Sequence, residues 1–298
     1  MTSKMNKYLA YVQLARPHQY VKNGFIFLPL FFGHKLHDYQ ALLTTFWVFV
    51  VFCLGASSIY VVNDIHDVEV DRQHPTKKFR PLAAGVLSKS EAVFFFAVLF
   101  LCCLLLSLTI LDPIILLPLG AYLALNLAYS YALKNLAIID VSCIALGFVL
   151  RVFAGGLAVN IWPSHWLILM TFLLAMFLSF AKRRDDLLLA EAGHNVRRSV
   201  DNYSLEFISL SMVVFVAVII VSYILYTLSP EVVSKHGTNN LYLTTFWVIL
   251  GFLRYMQITF VEQKSGYPTL ILFKDLFMQI VILLWLLNYY LIFYVMNH

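Results

Sequence analysis

The 298-residue chain reads as an all-α polytopic membrane protein, and three observations carry that reading. It is 61% hydrophobic, with a mean hydropathy of +0.80. Only 12% of it is charged, where soluble domains carry roughly 25%. Apolar runs of about 20 residues, enough to cross a ~30 Å hydrocarbon core as helix, recur from end to end. The polar stretches between them are too short to form a soluble domain, so residues 1–298 are expected to be one integral membrane domain.

Nine spans are expected, over residues 24–38, 41–62, 91–111, 114–133, 137–158, 165–181, 205–228, 241–261 and 269–296. The first is short and interrupted by Pro29, and the segment before it lacks the apolar core and cleavage site of a signal peptide. The second runs into a dense acidic block, and the third restarts after a basic loop. Spans four and five are separated by a short turn around Lys134. The sixth ends at a second charged loop; the seventh, eighth and ninth follow with short connections. The hexapeptide LTTFWV opens two of these spans, at Leu43–Val48 and at Leu243–Val248, where Trp suits the membrane interface. The four cysteines, Cys53, Cys102, Cys103 and Cys143, lie inside apolar runs without CxxC spacing and read as packing residues.

Basic residues set the expected orientation. With the N-terminus in the cytoplasm, sixteen Lys and Arg residues fall on the inner face, including Lys4, Lys22, Lys89, Arg197, Arg198 and Lys264. Only Lys35 and Lys235 fall outside, a strong positive-inside pattern. The inner (plasma) membrane, a cytoplasmic N-terminus and a cytoplasm-facing site follow as expectations.

After span two the chain places Asn63, Asp64, Asp67, Glu69 and Asp71 together. On a helix the three aspartates are spaced i, i+3, i+7 and share a face, while Glu69 points away. Like charges on one face repel unless a cation sits among them. Carboxylates beside an amide are hard oxygen donors, suited to Mg²⁺ and, through it, to substrate phosphates. A solvated acidic helix end is the plainer alternative. The loop from His74 to Pro81 is bracketed by prolines and should not be regular helix. Its Lys77, Lys78 and Arg80 suit either lipid headgroups or substrate phosphates. The second charged loop, after span six, repeats the theme with Lys182, Arg183, Asp185 and Asp186. The two loops suggest one polar site over an apolar bundle, handling a phosphorylated substrate while a lipid enters from the side.

These residues resemble a known family. NDIHDVEVDR, from Asn63 to Arg72, is similar to the N-D-x-x-D-x-x-x-D signature of the UbiA superfamily of intramembrane prenyltransferases. Nine spans, with the signature after the second and a polar loop after the sixth, fit that architecture over nearly the whole chain. ARPHQYVKN (Ala15–Asn23), DRQHPTKKFRP (Asp71–Pro81) and AKRRDDL (Ala181–Leu187) further resemble the decaprenyl-phosphate phosphoribosyltransferase branch. Aromatic prenyltransferases of the superfamily usually carry D-x-x-x-D after span six, and the adjacent Asp185 and Asp186 do not supply that spacing. The resemblance implies 5-phosphoribosyl 1-diphosphate as donor, a long polyprenyl phosphate as acceptor, and Mg²⁺. It places Asn63, Asp64, Asp67 and Asp71 on the metal and diphosphate, Lys182 and Arg183 on donor phosphate, and Lys22 near the lipid phosphate. Arg16, Gln19 and Asn23 are spaced i, i+3, i+7 on a helix that Pro17 can start, with Lys22 flanking them, and Gln19 joins Lys22 as a candidate for the lipid phosphate.

The chemistry needs little beyond positioning. Negative charge builds on the leaving diphosphate as the ribose anomeric carbon becomes oxocarbenium-like, and a cation held by the aspartates offsets it. The lipid phosphate is already ionised, so no strong base is required, consistent with the lack of any Ser-His or Cys-His arrangement.

Within the spans, Arg151 costs roughly 2.5–3.5 kcal/mol if it faces lipid at the bilayer centre, so it should face the bundle. A structural partner and a substrate contact are equally open for it. Asp140 lies eleven residues away, too far along the helix to pair with it. Asn126, Tyr129 and Ser130 share a face expected to line the cavity, near Lys134. Arg254, Lys274 and Asp275 are secondary candidates. The alternative activity is transfer of an isoprenoid from its diphosphate to an aromatic or haem-like acceptor. A transporter would spread polar groups through the membrane, whereas here they gather on one face. The bilayer is a partner, no nucleic acid is expected, and a homo-oligomer is open.

Overall fold

The local signals for helix starts are carried by short polar side chains just outside the apolar runs. In this computed structural model, which describes residues 6–73, 76–191, 202–263, 271 and 273–292, those signals are used as caps. Asp38 accepts from the backbone N–H groups of Gln40 and Ala41, opening the helix Tyr39–His66. Ser88 and Glu91 form a reciprocal capping box at the start of Lys89–Ile110. Ser204 caps Leu205–Leu228, and Asp275 caps Leu276–Tyr290.

The described residues are helical and contain no strand. We number the helices α1 (Lys7–Ala15), α2 (Leu28–Phe32), α3 (Tyr39–His66), α4 (Val68–Gln73), α5 (Lys89–Ile110), α6 (Leu116–Tyr131) and α7 (Ile139–Ala158). There follow α8 (His165–Glu191), α9 (Leu205–Leu228), α10 (Pro230–His236), α11 (Thr245–Phe260) and α12 (Leu276–Tyr290). Among the described residues, seven helical segments are long and apolar enough to span a membrane: α3, α5, Pro113–Tyr131, α7, α8, α9 and Asn240–Phe260. They coincide with expected spans two to eight. The expected first span departs from a through-helix: Pro17–Phe27 is 3₁₀ helix and only the five residues of α2 are α-helical. Of the expected ninth span, α12 is a shorter apolar helix, and its ends at 269–270 and 293–296 lie outside the described residues. His74 and Pro75 of the basic loop, Lys4, Arg197, Arg198 and Lys264 also lie outside them.

The chain divides into two compact units. In the first, residues 6–164, α3 is central and packs on α5, α6, α7 and the Pro17–Phe27 segment. Its core gathers Phe52 and Val48 of α3, Cys103 of α5, Tyr122 of α6, Ala154 of α7 and Ile26. By contrast α5 leaves Phe94, Leu101, Leu105 and Leu108 exposed, which suits a face in contact with lipid chains. The Pro17–Phe27 backbone lies directly on α7: a Cβ at Gly155 would sit 1.9 Å from the carbonyl oxygen of Ile26, so only glycine fits there. In the second unit, α8 packs on α9, and α11 on α9 and α12. Its buried tyrosines are tied by hydrogen bonds from Trp285 Nε1 to Tyr223 and between Tyr226 and Tyr289. The four cysteines are free, and three of them are buried as packing residues.

Candidate functional site

The 28 residues of α3 rise about 42 Å, more than the hydrocarbon core requires, so its polar end protrudes beyond it. That end carries Asn63 and Asp64. Asp67 caps the helix with φ −91° and ψ 3°, and Asp71 follows on α4. Backbone hydrogen bonds from Asp67 N–H to Asn63 and from Asp71 N–H to Asp67 keep the turn nearly helical through the interruption. Asp64 and Asp71 therefore remain on one face, both buried. Glu69 is exposed on the other side and pairs with Arg72 and Lys89.

The two buried aspartates converge on a single guanidinium. Arg80 Nη1 donates to Asp64 Oδ1 at 3.1 Å and to Asp71 Oδ2 at 2.6 Å. Arg16 Nη2 donates to the same Asp64 oxygen, and its guanidinium stands 5.1 Å from the Tyr60 ring centroid. Arg16 reaches there because it is a left-handed residue, φ 54°, at the corner between α1 and the 3₁₀ segment.

The expected three-aspartate face resolves into a pair and a separate member. The helix is interrupted at Asp67, whose carboxylate turns to Lys134 Nζ at 2.6 Å and His66 Nδ1 at 2.9 Å. Burial pushes the Asp67 carboxyl up, but the Lys134 and His66 hydrogen bonds and charges prevail and hold it below the usual carboxylate range. Among the described residues, no three His, Cys, Asp or Glu side chains are gathered for a metal ion. The donor chemistry nonetheless fits a hard divalent cation at one point. Two carboxylate oxygens already meet within hydrogen-bond reach of one atom, Arg80 Nη1, with Asn63 immediately before Asp64 on α3.

The remaining expected residues fall as follows. Lys77 lies in a single 3₁₀ turn, Lys77–Phe79, as expected for an irregular loop, and the exposed Lys78 lies over the Phe79 ring. Lys134, expected only as cavity lining, is buried and grips Asp67. Asn126 is half-buried and donates to the carbonyl of Tyr122 on its own helix, with Tyr129 half-buried nearby. Lys22 and Gln19 lie on the Pro17–Phe27 segment, both half-buried. Lys22 is drawn down to about 8, first by burial and then by the positive charges of Arg151 and Arg16. Arg151 is buried and satisfied by neutral partners: Nε to Asn23 at 2.7 Å, Nη1 to the Gly147 carbonyl at 2.8 Å and Nη2 to Tyr122 at 2.9 Å. Arg16 joins this cluster without a site motif of its own; the sequence signal for it is an arginine at a helix end immediately before Pro17.

In the second unit, α8 continues through Glu191, so Lys182–Asp186 are helical rather than loop. Lys182 is exposed, while Arg183 is buried and donates to Asp186 at 2.5 Å, an i, i+3 pair on the same helix. Arg184 is buried too, donating to the carbonyl of Thr259. Arg254 is held by Asp275 and Glu262, and Lys274 is exposed.

A multi-pass helical scaffold with buried aspartates clamped by arginines at one helix end defines an intramembrane transferase of the UbiA type. The chain belongs to the UbiA prenyltransferase family, whose model matches residues 26–230. It is 35% identical to "Decaprenyl-phosphate phosphoribosyltransferase" of Corynebacterium glutamicum over 76% of this chain and 69% of that protein. It is 32% identical to the enzyme of the same name from Mycolicibacterium smegmatis, over 92% of this chain and 89% of that one. A UbiA homologue from Archaeoglobus fulgidus, solved with GPP and Mg²⁺, has the same fold, with a TM-score of 0.71 at 20% identity, covering 96% of this chain and 100% of that one.

Proposed function

We propose that the protein transfers 5-phosphoribose from 5-phosphoribosyl 1-diphosphate to a polyprenyl phosphate, releasing diphosphate. The observation that carries this reading is the Asp64–Asp71 pair closed by Arg80 and Arg16, in a chain whose similar relatives bear that activity in their names. The site turns to the cytoplasm, where a soluble phosphorylated sugar is met, in the plasma membrane, and the product serves as a precursor of envelope glycans. The A. fulgidus homologue binds Mg²⁺ with an isoprenoid diphosphate, which supports a metal requirement in the family.

In the reaction, the bond between the ribose anomeric carbon and the diphosphate oxygen breaks, and a lipid phosphate oxygen bonds to that carbon. The lipid oxygen is ionised already, so no residue need remove a proton. Asp64 and Asp71, with Asn63 and Asp67 adjacent, would hold Mg²⁺, which when bound offsets the charge that grows on the leaving diphosphate. Arg80, with Lys77 and Lys78 on the same loop, provides further positive charge for diphosphate. Lys134 keeps Asp67 ionised and oriented. Lys22 and Gln19 receive the lipid phosphate at headgroup depth, while Lys182 and Arg183 keep a donor-phosphate role on the strength of the sequence pattern.

The test is to incubate the purified protein with labelled 5-phosphoribosyl 1-diphosphate, Mg²⁺ and a polyprenyl phosphate. In parallel, an isoprenoid diphosphate is offered with an aromatic acid. Label should pass to the lipid in the first reaction; prenylation in the second without transfer in the first would overturn the proposal.

A further inference from the structure

A 3₁₀ run of eleven residues, Pro17–Phe27, is far longer than the three or four at which such helices usually stop. It therefore needs support from outside itself. Two helices provide it. On the α3 side, Tyr20 hydroxyl bonds Ser57 at 2.9 Å, Ser57 donates to the carbonyl of Ala15, and Asn23 Nδ2 donates to Cys53 Sγ at 3.1 Å. On the α7 side, the Phe25 and Phe148 rings meet edge to face at 4.7 Å, and the Ile26 carbonyl lies on Gly155. One turn before Gly155, Arg151 Nε donates to Asn23 Oδ1 at 2.7 Å.

Arg151 is an unusual residue to find in that place. It is 5% exposed in the middle of a membrane-spanning helix. Its partners are an amide, a carbonyl and a phenol, and its guanidinium lies 4.5 Å from the Tyr122 ring centroid and 5.3 Å from that of Phe148. None of these is an acid. Buried charge in a membrane is expensive, and a neutral side chain of similar size would fill the space with less penalty. What only arginine supplies is a rigid, several-armed link from α6 and α7 to Asn23, together with a positive charge nearby. The residue next to Asn23 is Lys22, half-buried, with no hydrogen bond or ion pair to any described residue.

We infer that Arg151 is a positioning residue for anion binding: through Asn23 it fixes the placement of Lys22, so that the ammonium is presented to the phosphate of the lipid acceptor. Arg151 does not touch the lipid. This rests on the reading of Lys22 as the lipid-phosphate contact. Asn23, wholly buried between Cys53 and Arg151, is the coupling element, and its amide is oriented by a donor on one side and an acceptor on the other.

The experiment is a double-mutant cycle on the full-length protein in detergent, reading direct binding of a short-chain polyprenyl phosphate and, separately, the apparent KM for each substrate. The variants are Lys22→Gln, Arg151→Met and the double mutant, with Asn23→Ala as a second break of the same link should Arg151→Met fold poorly. Arg151→Met and Asn23→Ala should each weaken lipid binding at least about five-fold while leaving the donor KM within about two-fold. Neither should weaken it much further once Lys22 is Gln. If the effects of Arg151→Met and Lys22→Gln multiply, Arg151 acts independently and the inference is overturned while Lys22 keeps its role. If Lys22→Gln alone leaves lipid binding unchanged, the underlying reading of Lys22 fails and the inference falls with it. Equal loss toward both substrates in Arg151→Met and Asn23→Ala would reduce Arg151 to a structural role.

Discussion

Asp64 Oδ1 accepts from two guanidinium groups, those of Arg16 and Arg80, in a place where the carboxylate is 2% exposed. Removing one partner of such a buried pairing leaves an uncompensated charge, at a cost of about 3–5 kcal/mol. Asp64→Asn keeps the shape, and the two arginines it leaves are partly exposed, with Arg80 still paired to Asp71, so the cost stays below that of a fully buried charge. The protein should remain folded in detergent while turnover falls below about a tenth of wild type at saturating Mg²⁺. A variant above that level would show that Asp64 holds neither metal nor diphosphate. Lys22 makes the complementary prediction. Its pKa in the folded chain, about 8, lies below the ordinary lysine value, so the charged form is the one disfavoured by folding. The sign follows: the buried ammonium opposes stability in full below about 8, and that opposition is relieved progressively as pH rises from there towards the ordinary lysine value of 10.5. Phosphate binding needs the ammonium. Lipid affinity measured between pH 7 and 10 should therefore decline through roughly pH 8 to 9, the upper part of that range reflecting the rise that a bound anion itself causes. The charged and titratable groups that act on Lys22 are Arg16 and His18 of its own stretch and Arg151 of α7. The same titration of Lys22→Gln should be flat; a decline of equal size would assign the limb to another group.

At the scale of elements, identical sequence takes different structure according to what precedes it. The first LTTFWV lies inside α3, already helical because Asp38 caps the chain five residues earlier. There Thr44 donates to Gln40 four residues back. The second copy straddles the 3₁₀ turn Asn240–Thr244 and the start of α11, so the corresponding Thr244 donates to Leu241, three residues back, and bonds the Tyr223 hydroxyl. The junction of α7 with Pro17–Phe27 tests whether close backbone contact holds the 3₁₀ segment in place. Gly155→Ala puts a Cβ 1.9 Å from the Ile26 carbonyl oxygen, which backbone cannot yield without moving. Overpacking of this kind costs about 1–3 kcal/mol, so Tm in detergent should fall by several degrees and lipid affinity should weaken with it. A Gly155→Ala protein with unchanged Tm would mean that the two backbones separate freely.

At the scale of the whole molecule, the charges predict orientation. Cysteines introduced singly at exposed positions after α3 and before α5, such as Gln73 or Ser88, should be shielded from a membrane-impermeant thiol reagent in intact cells. A cysteine at Tyr39 should react. The opposite pattern would invert the protein and with it the source of its water-soluble substrate. Lys182→Ala and Arg183→Ala should raise the donor KM far more than the lipid KM. For Arg183 a second effect is expected, because it is buried and bonded to Asp186, so its loss also lowers Tm. A rise confined to the lipid KM would reverse the assignment.

The membrane fold was legible in the sequence because the transfer of apolar side chains into hydrocarbon is additive along a local run. Spans two to eight coincide with helices for that reason, and the acidic block after the second could be placed at a membrane face from spacing alone. The first span was less legible. Apolar composition does not distinguish an α-helix from a supported 3₁₀ run, and the support for Pro17–Phe27 comes from Cys53 and Ser57 of α3 and from Arg151 and Gly155 of α7. The charge pairing was not legible at all. Arg80, Arg16 and Lys134 reach their aspartates from 16, 48 and 67 residues away in the chain, and Arg151 meets Asn23 across 128. A local pattern shows that a charge inside or beside a membrane must find a partner, since solvation there is poor. Which partner it finds depends on how the helices pack, and that is decided by side-chain shapes brought together only in three dimensions.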